Sequence, residues 1–581
     1  MIRVNATFRV VLIVALLVLA VWGVTLLFGW VWDDFPTVVS NPSLHDIKTL
    51  GSAFFHDFWG LHEIPARSGY WRPLPTVIYT LATLVFGTHA MPFHLICVLV
   101  HGGVAVLAVL LLQRLGLEGV GLLVGALFFA LHPIHSETVS FVSALPDLLA
   151  ALFGLGALVV WPKRFWLGTL LFAGALLSKE SAIAFAFVGV WLNWRSRPGW
   201  LAVILPVCGV YSVAHFWVTG GTGVRDLWGG SVSSHLGTVL RLIPYSAFLT
   251  LIPIGTTPTR IFTLSSGVLN WATVTSVATL ALVIILAWRF RKSAPIAARG
   301  IVLFGLFYLP VSNLIPAEGL LVDRYLYLPA LGTAAIVGSL AAWIVPYMRT
   351  RDLWIAITLL IVWGGWAAQA SQKWKSDDSL WNAATVSSPE SPVAWNELGG
   401  VFLTKREFKD ALAAFDRALE LRPAYREASF NRAVTSYRMG DLAGAKSGLE
   451  KHLERFPTDA EGWDLAGTVA VTLRDLSKGI DCGVRAVRFE PGNWKWRYNL
   501  GLTYVQVRDL SSAATELEEA RKLTNGRHEV LSKLGGVFLL AGEWRKSADV
   551  FAEVTRRWPE DEEGGRALKQ IRDIMAVTGD R

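Results

Sequence analysis

Eleven long apolar runs occupy the first 371 residues, at about 10–31, 92–113, 117–133, 143–161, 165–178, 181–194, 199–219, 271–289, 299–316, 325–347 and 352–371. Such runs leave a chain few choices. Inside lipid no water satisfies the backbone, so each run has to close its own hydrogen bonds as a helix. Several runs fall short of the roughly 20 residues that a straight span needs.

Composition agrees. The chain is 53% hydrophobic and 17% charged over 581 residues, whereas a soluble domain is about a quarter charged. A disordered chain, a small disulfide scaffold and an ordinary soluble enzyme are excluded. The apolar character stops near residue 371, and the remainder reads as a soluble helical protein. The formal charge is +8, but the basic groups lie in short loops between apolar runs, as in Asn193–Arg197 and Trp288–Lys292. That is the positive-inside pattern of membrane proteins, not the clustered basic face of a nucleic-acid binder. Cys97, Cys208 and Cys482 are far apart and have no metal-knuckle spacing.

The basic loops also set an orientation. Arg3 and Arg9 precede the first run, which reads as an uncleaved span. With 74–87 and 236–255 lying at the membrane surface, Arg114, Lys163, Arg164, Arg195, Arg197, Arg289–Arg299, Arg349 and Arg351 all fall on the cytoplasmic side. This expects 11 spans, a cytoplasmic N-terminus and an extracytoplasmic C-terminal region.

A different signal governs that region. Pro423, Pro457, Pro491 and Pro559 are spaced by 34, 34 and 68 residues. Gly399, Ala433, Gly467, Gly501 and Gly535 recur every 34, as do Ala411, Ala445, Gly479, Ala513 and Ser547. Small residues at the eighth and twentieth positions let two helices of a unit approach, and the proline ends the second. This is the tetratricopeptide pattern. The expected fold is all-α, a polytopic membrane domain over 1–371, a linker over 372–391, five repeats over 392–561 and a capping helix over 562–581. Phe430, Tyr437 and Tyr498 fall where side chains of such superhelices line a partner groove or, equally ordinarily, pack between helices.

Four polar clusters fall on the expected outer face. Asp33 and Asp34 follow the first run, and the same loop holds Asp57, Glu63 and Arg72. Adjacent carboxylates can bind a metal or, since repulsion raises the pKa of one of them, act as a general base, though they also simply cap a span. Arg72 and Lys179 suit a phosphate; as a snorkelling arginine, and as a lysine paired with Glu180, they would mean nothing more. His132, His135 and Glu137 could hold a metal, but with a proline between the histidines and no zinc-protease spacing they better suit hydrogen bonding or substrate positioning. Asp147 sits in an apolar run, where an acid is costly and a functional candidate by default. Arg324 could neutralise a departing phosphate with Asp323 holding it, or the two could form a surface pair of little energetic weight.

The motifs and their order resemble the GT-C class of membrane glycosyltransferases, in particular the transmembrane and tetratricopeptide-repeat O-mannosyltransferases and their bacterial relatives. The resemblance rests on Asp33-Asp34, Trp71-Arg-Pro-Leu74, His132-Pro-Ile-His135-Ser-Glu137, Ser178-Lys-Glu180, Asp323-Arg324 and Tyr327-Leu-Pro329, and on a membrane half followed by repeats. It departs at Ser143-Ala-Leu-Pro-Asp147, which lacks the arginine that relatives often carry before the acid. The resemblance implies a polyprenyl-phosphate sugar donor, no further cofactor or metal, and a protein or other envelope acceptor recruited by the repeats. It implies Asp33 or Asp34 as base, donor-phosphate contacts from Arg324, Lys179 and Arg72, and positioning roles for His132, His135, Glu137, Asp147, Glu180 and Asp323. The rival is a non-catalytic membrane scaffold or transporter whose repeat arm docks envelope proteins. A transporter would place ionisable groups mid-span and show internal symmetry, whereas the acids here sit mainly at span ends.

Overall fold

A computed structural model describes residues 6–61, 68–193, 201–221, 226–317, 319–348 and 350–578. Arg3, Glu63, Arg195, Arg197 and Arg349, and the side chain of Arg351, lie outside the described residues. The chain is all-helical and divides into two compact units, Met1–Ser391 and Pro392–Arg581.

The first unit opens with α1 (Ala6–Trp22), a short α2 (Thr49–Ser52), α3 (Pro73–Phe86), α4 (Ala90–Arg114) and α5 (Gly119–Ala130). Then come a single turn α6 (Ser136–Ser140), α7 (Leu145–Val160), α8 (Phe165–Ser178), α9 (Ala184–Asn193) and α10 (Leu201–Thr219). It closes with α11 (Val232–Leu251), α12 (Trp271–Phe290), α13 (Pro295–Tyr308), α14 (Ala330–Ile344), α15 (Thr350–Ser371) and α16 (Asp377–Ser387).

Among the described residues, seven helical segments are long and apolar enough to cross a membrane, and four shorter apolar helices accompany them. One of the four is α3, read from sequence as surface-lying; its 14 residues span only about 21 Å, short of a hydrocarbon core of roughly 30 Å. Side chains on α10 and α12 such as Val213, Trp217, Leu282 and Ile284 are exposed, as a lipid-facing surface requires. The chain is a multi-pass membrane protein.

Helix α4 is central, with its Val104, Ala105, Ala108 and Val109 buried in a core shared with α1, α5 and α7. On the other side of α5, small residues set the packing. A Cβ on Gly121 would lie 2.7 Å from the Gly338 carbonyl, and one on Gly125 2.8 Å from the Ala334 carbonyl. Helix α14 meets α13 the same way through Gly332 and Gly300. Membrane helices gain attraction by close backbone approach rather than by a hydrophobic drive.

The second unit is five helix pairs and a final helix: α17 (Pro392–Thr404) with α18 (Phe408–Leu421), α19 (Arg426–Met439) with α20 (Leu442–Arg455), and α21 (Ala460–Thr472) with α22 (Leu476–Phe489). Next are α23 (Trp494–Gln506) with α24 (Leu510–Leu523), α25 (His528–Leu540) with α26 (Trp544–Arg557), and α27 (Glu562–Thr578). The 34-residue glycines explain the pairing. A Cβ on Gly399 would meet the Phe415 ring at 2.6 Å, and one on Gly535 the Phe551 ring at 2.8 Å. Helix α27 buries Leu568 and Ile571 against Phe551.

Candidate active site

The acidic loop is shaped by its backbone. Trp32 sits at φ 50°, a left-handed conformation costing a bulky L-residue about 1–2 kcal/mol. Its N–H donates to Asp377 Oδ1 at 2.7 Å. Its ring stacks on Phe141 at 5.5 Å and meets Trp381 edge-on at 5.3 Å. The kink turns Asp34 inward, where it is 0% exposed. Asp34 Oδ1 accepts from the Ser143 N–H at 2.7 Å and its hydroxyl at 2.8 Å, and Oδ2 from the Val31 N–H at 3.2 Å. Burial pushes the Asp34 pKa up to about 7, the Ser143 and Val31 hydrogen bonds pulling it back and the Asp33 charge adding to the rise. Asp33 itself is half-buried.

Arg72 is presented by a loop organised on Asp57, whose carboxylate accepts from the Trp59, Ser68 and Gly69 N–H groups. The guanidinium lies 4.3 Å from the Tyr70 ring centroid and forks onto Glu180, Nη2 to Oε1 at 2.8 Å and Nε to Oε2 at 3.3 Å. Burial disfavours its charge, but Glu180 outweighs that and raises its pKa.

Sequence neighbours do not pair. Lys179 donates not to Glu180 but to Asp147 Oδ1, at 2.6 Å. Arg324 is held not by Asp323 but by Glu137, which takes the Arg324 guanidinium on one oxygen and the Arg324 N–H on the other at 3.1 Å. Asp323 pairs with Arg260 and accepts the Thr257 N–H at 3.1 Å. The reason is helical geometry: Lys179 and Glu180 are adjacent at a helix break, so their side chains point apart, as do those of Asp323 and Arg324. Arg260 was missed. Its signal was isolation, as the one charged residue between Arg241 and Arg289.

The acidic loop and the cations meet at the start of α7. Ser143, just before it, holds Asp34; Asp147, in its first turn, holds Lys179. Arg324 and Arg72 both act electrostatically on neighbours of Asp147. Three cations, Arg72, Lys179 and Arg324, thus face three acids, Glu180, Asp147 and Glu137, each acid on a different element from its cation. The Arg324 side chain keeps 24% of its surface open, against 1% for Glu137. At the other end of α7, Arg114 donates to the Leu158 carbonyl at 2.7 Å, and Arg299 donates to the Leu115 carbonyl at 2.9 Å. The basic loops and the charged cluster therefore occupy opposite ends of the bundle.

The histidines are core. His132 Nδ1 accepts from the Ile134 N–H at 3.1 Å and its Nε2 bonds the Thr250 carbonyl at 3.0 Å, so both nitrogens serve the fold. His135 is fully buried, its ring 4.4 Å from that of Tyr327 and 4.9 Å from that of Phe129. Neither is open to a substrate here, because the Pro133 turn tucks both beneath α15.

An apolar cavity of about 1090 Å³ runs along α9, α10 and α13, lined by residues including Ile183, Phe187, Leu205 and Leu306, with Arg114 and Arg299 at its edge. Residues 372–391, expected as a linker, form a 3-10 turn and α16, with Trp374, Leu380 and Trp381 buried. In the second unit Phe430, Tyr437 and Tyr498 are half-buried. Tyr437 packs beside Leu449 and Val469, and Tyr498 beside Val530, so helix packing takes up much of both.

Tetratricopeptide-repeat family models match residues 402–467 and, separately, 378–424 and 483–562. Up to 71% of the chain is similar to curated proteins named protein O-mannosyl-transferase. Human TMTC3 is 24% identical over 71% of this chain and 51% of its own length. F38B6.6 of Caenorhabditis elegans is 23% identical over 68% of this chain and 60% of its own. Human TMTC4 is 32% identical over 26% of this chain and 25% of its own. The chain spans about half the length of the first two TMTC3 relatives.

Proposed function

We propose that this chain is an inverting membrane glycosyltransferase. It moves a sugar, mannose being the candidate that the relatives' names suggest, from a polyprenyl phosphate to a hydroxyl of a protein or other envelope acceptor on the extracytoplasmic face. The observation that carries the reading is the junction at the start of α7, where Ser143 holds Asp34 of the acid pair and Asp147, four residues on, holds the Lys179 ammonium.

In this reaction the acceptor oxygen attacks the anomeric carbon and its proton passes to Asp33. Asp33 is the base because it is half-buried, whereas Asp34 is fully buried and anchors the loop on Ser143. Asp34 positions the loop through Ser143 and Val31. The bond from the anomeric carbon to the phosphate oxygen breaks, and the leaving phosphate gains charge. Arg324, with Lys179 and Arg72, stabilises that charge. Glu137, Asp147 and Glu180 aim the three cations. Asp323 aims the 323–326 turn through Arg260. His132 and His135 support the same face from within. A lipid tail would enter the cavity at Ile183, four residues after Lys179. No cofactor is required for direct displacement.

Asp34 is mostly ionised only above about pH 7. The sign follows: a protonated Asp34 can no longer accept from the Ser143 and Val31 N–H groups on both oxygens, so the loop that carries Asp33 loosens at low pH and kcat rises with pH, about tenfold between about pH 6 and pH 8. A flat profile would remove the ionisation of Asp34 from the mechanism.

The repeats recruit the acceptor, with Phe430, Tyr437 and Tyr498 contributing their open edges. Deleting 392–561 is expected to raise KM for a protein acceptor by about 10–100-fold while donor affinity holds. Equal loss of donor affinity would make the repeats a structural support. Labelling a cysteine on an exposed repeat position with an impermeant thiol reagent in intact cells tests the sidedness; protection would place the repeats in the cytoplasm.

A further inference from the structure

Residues 372–391 carry a tryptophan-rich segment that no catalytic motif includes, yet it closes over the acidic loop. The Gly29 N–H donates to the Lys375 carbonyl at 3.0 Å. Trp374 stacks on Phe141 at 5.2 Å, and Phe141 stacks in turn on Trp32. Trp381 meets the Trp32 ring edge-on. Asp377, in the first turn of α16, accepts the Trp32 N–H. Lys373 anchors the segment's start on the Thr256 carbonyl at 2.6 Å. Every residue in this set lies in the first unit.

Trp32 is the pivot. A non-glycine residue stays left-handed only when its surroundings over-determine it. Here one charge-assisted hydrogen bond and two rings do so. The next two residues are Asp33, which is half-buried, and Asp34, which is fully buried. If Trp32 relaxed to an extended backbone, Asp34 would lose its seat on Ser143.

We propose that Asp377 is a positioning residue for the acid pair, acting through the Trp32 N–H, and that α16 therefore belongs to the catalytic domain as a clamp on its acidic loop. The role of the clamp in transfer rests on Asp33 and Asp34 serving the reaction; the clamp itself does not. Asp378 is a built-in control. It is also in the first turn of α16 and half-buried, but does not accept from Trp32.

The test uses the full chain in detergent with amide hydrogen exchange read on the peptide covering 29–35. In Asp377→Ala, exchange of that segment is expected to rise about tenfold or more; in Asp378→Ala it stays at the wild-type rate. Asp377→Asn keeps a carbonyl oxygen that can accept from Trp32 and should stay near wild type. Transfer of labelled mannose from polyprenyl-phosphate mannose is followed in parallel. It should fall about tenfold or more in kcat in Asp377→Ala, with donor KM within about twofold. Unchanged exchange in Asp377→Ala overturns the proposal, as does an equal rise in Asp378→Ala, which would mark general loosening of α16. Raised exchange together with full transfer in Asp33→Asn would keep the clamp and discard the catalytic assignment instead.

Discussion

Asp33→Asn is expected to lower kcat for sugar transfer about a thousandfold, which is about 4 kcal/mol of transition-state stabilisation. The amide has the carboxylate's shape but cannot take the acceptor's proton. Asp33 is half-buried and carries no part of the Ser143 seat, so that seat and the donor KM should hold. Asp34→Asn differs in kind. Its amide group would turn N–H toward the Val31 N–H that Oδ2 now accepts at 3.2 Å. A buried donor facing a donor costs about 1–3 kcal/mol, so this variant should lose stability as well as rate. Steady-state kinetics and a melting curve on both variants separate the roles. Full kcat in Asp33→Asn would remove it as the base.

Arg324→Ala should be the most damaging single change to the cation cluster. Glu137, with a side chain 1% exposed, would be left buried without its guanidinium. Breaking a buried pair from one side costs about 3–5 kcal/mol. Loss of the group facing the departing phosphate should cost a further 10²–10³-fold, roughly, in kcat. The two effects separate in the double variant Arg324→Met with Glu137→Gln, which removes both charges and keeps volume. It should recover most of the melting temperature and none of the rate. Recovered rate in the double variant would show that Arg324 serves only the fold.

The two halves were not equally legible. Tetratricopeptide helices follow from a short-range rule, since the small residue at the eighth position of a unit lets its own partner helix approach, as Gly399 faces Phe415 and Gly501 faces Leu517. Membrane helices are equally local, because a run of apolar residues has to satisfy its own backbone. The polar motifs were visible as residues but not as partners. Lys179-Glu180 and Asp323-Arg324 suggested neighbouring pairs, and the structure crosses each to another element. Arg260 and Asp377 were passed over because each lies in a stretch whose neighbours signal only a loop or a linker. Their partners, Asp323 and the Trp32 N–H, are 63 and 345 residues away.

The sequence by itself determined an all-helical chain, a membrane half, a five-unit repeat and the side-chain types present at one face. Those properties depend on hydrophobicity and on spacing within a few turns, which a linear string contains. Tertiary structure alone decided which acid holds which cation, which carboxylate of the pair is buried, and that α16 closes on the acidic loop. Those outcomes turn on desolvation and on directional hydrogen bonds between distant segments. Burial, which moves Asp34 to about 7 while Asp33 stays half-buried, exists only once the helices have packed.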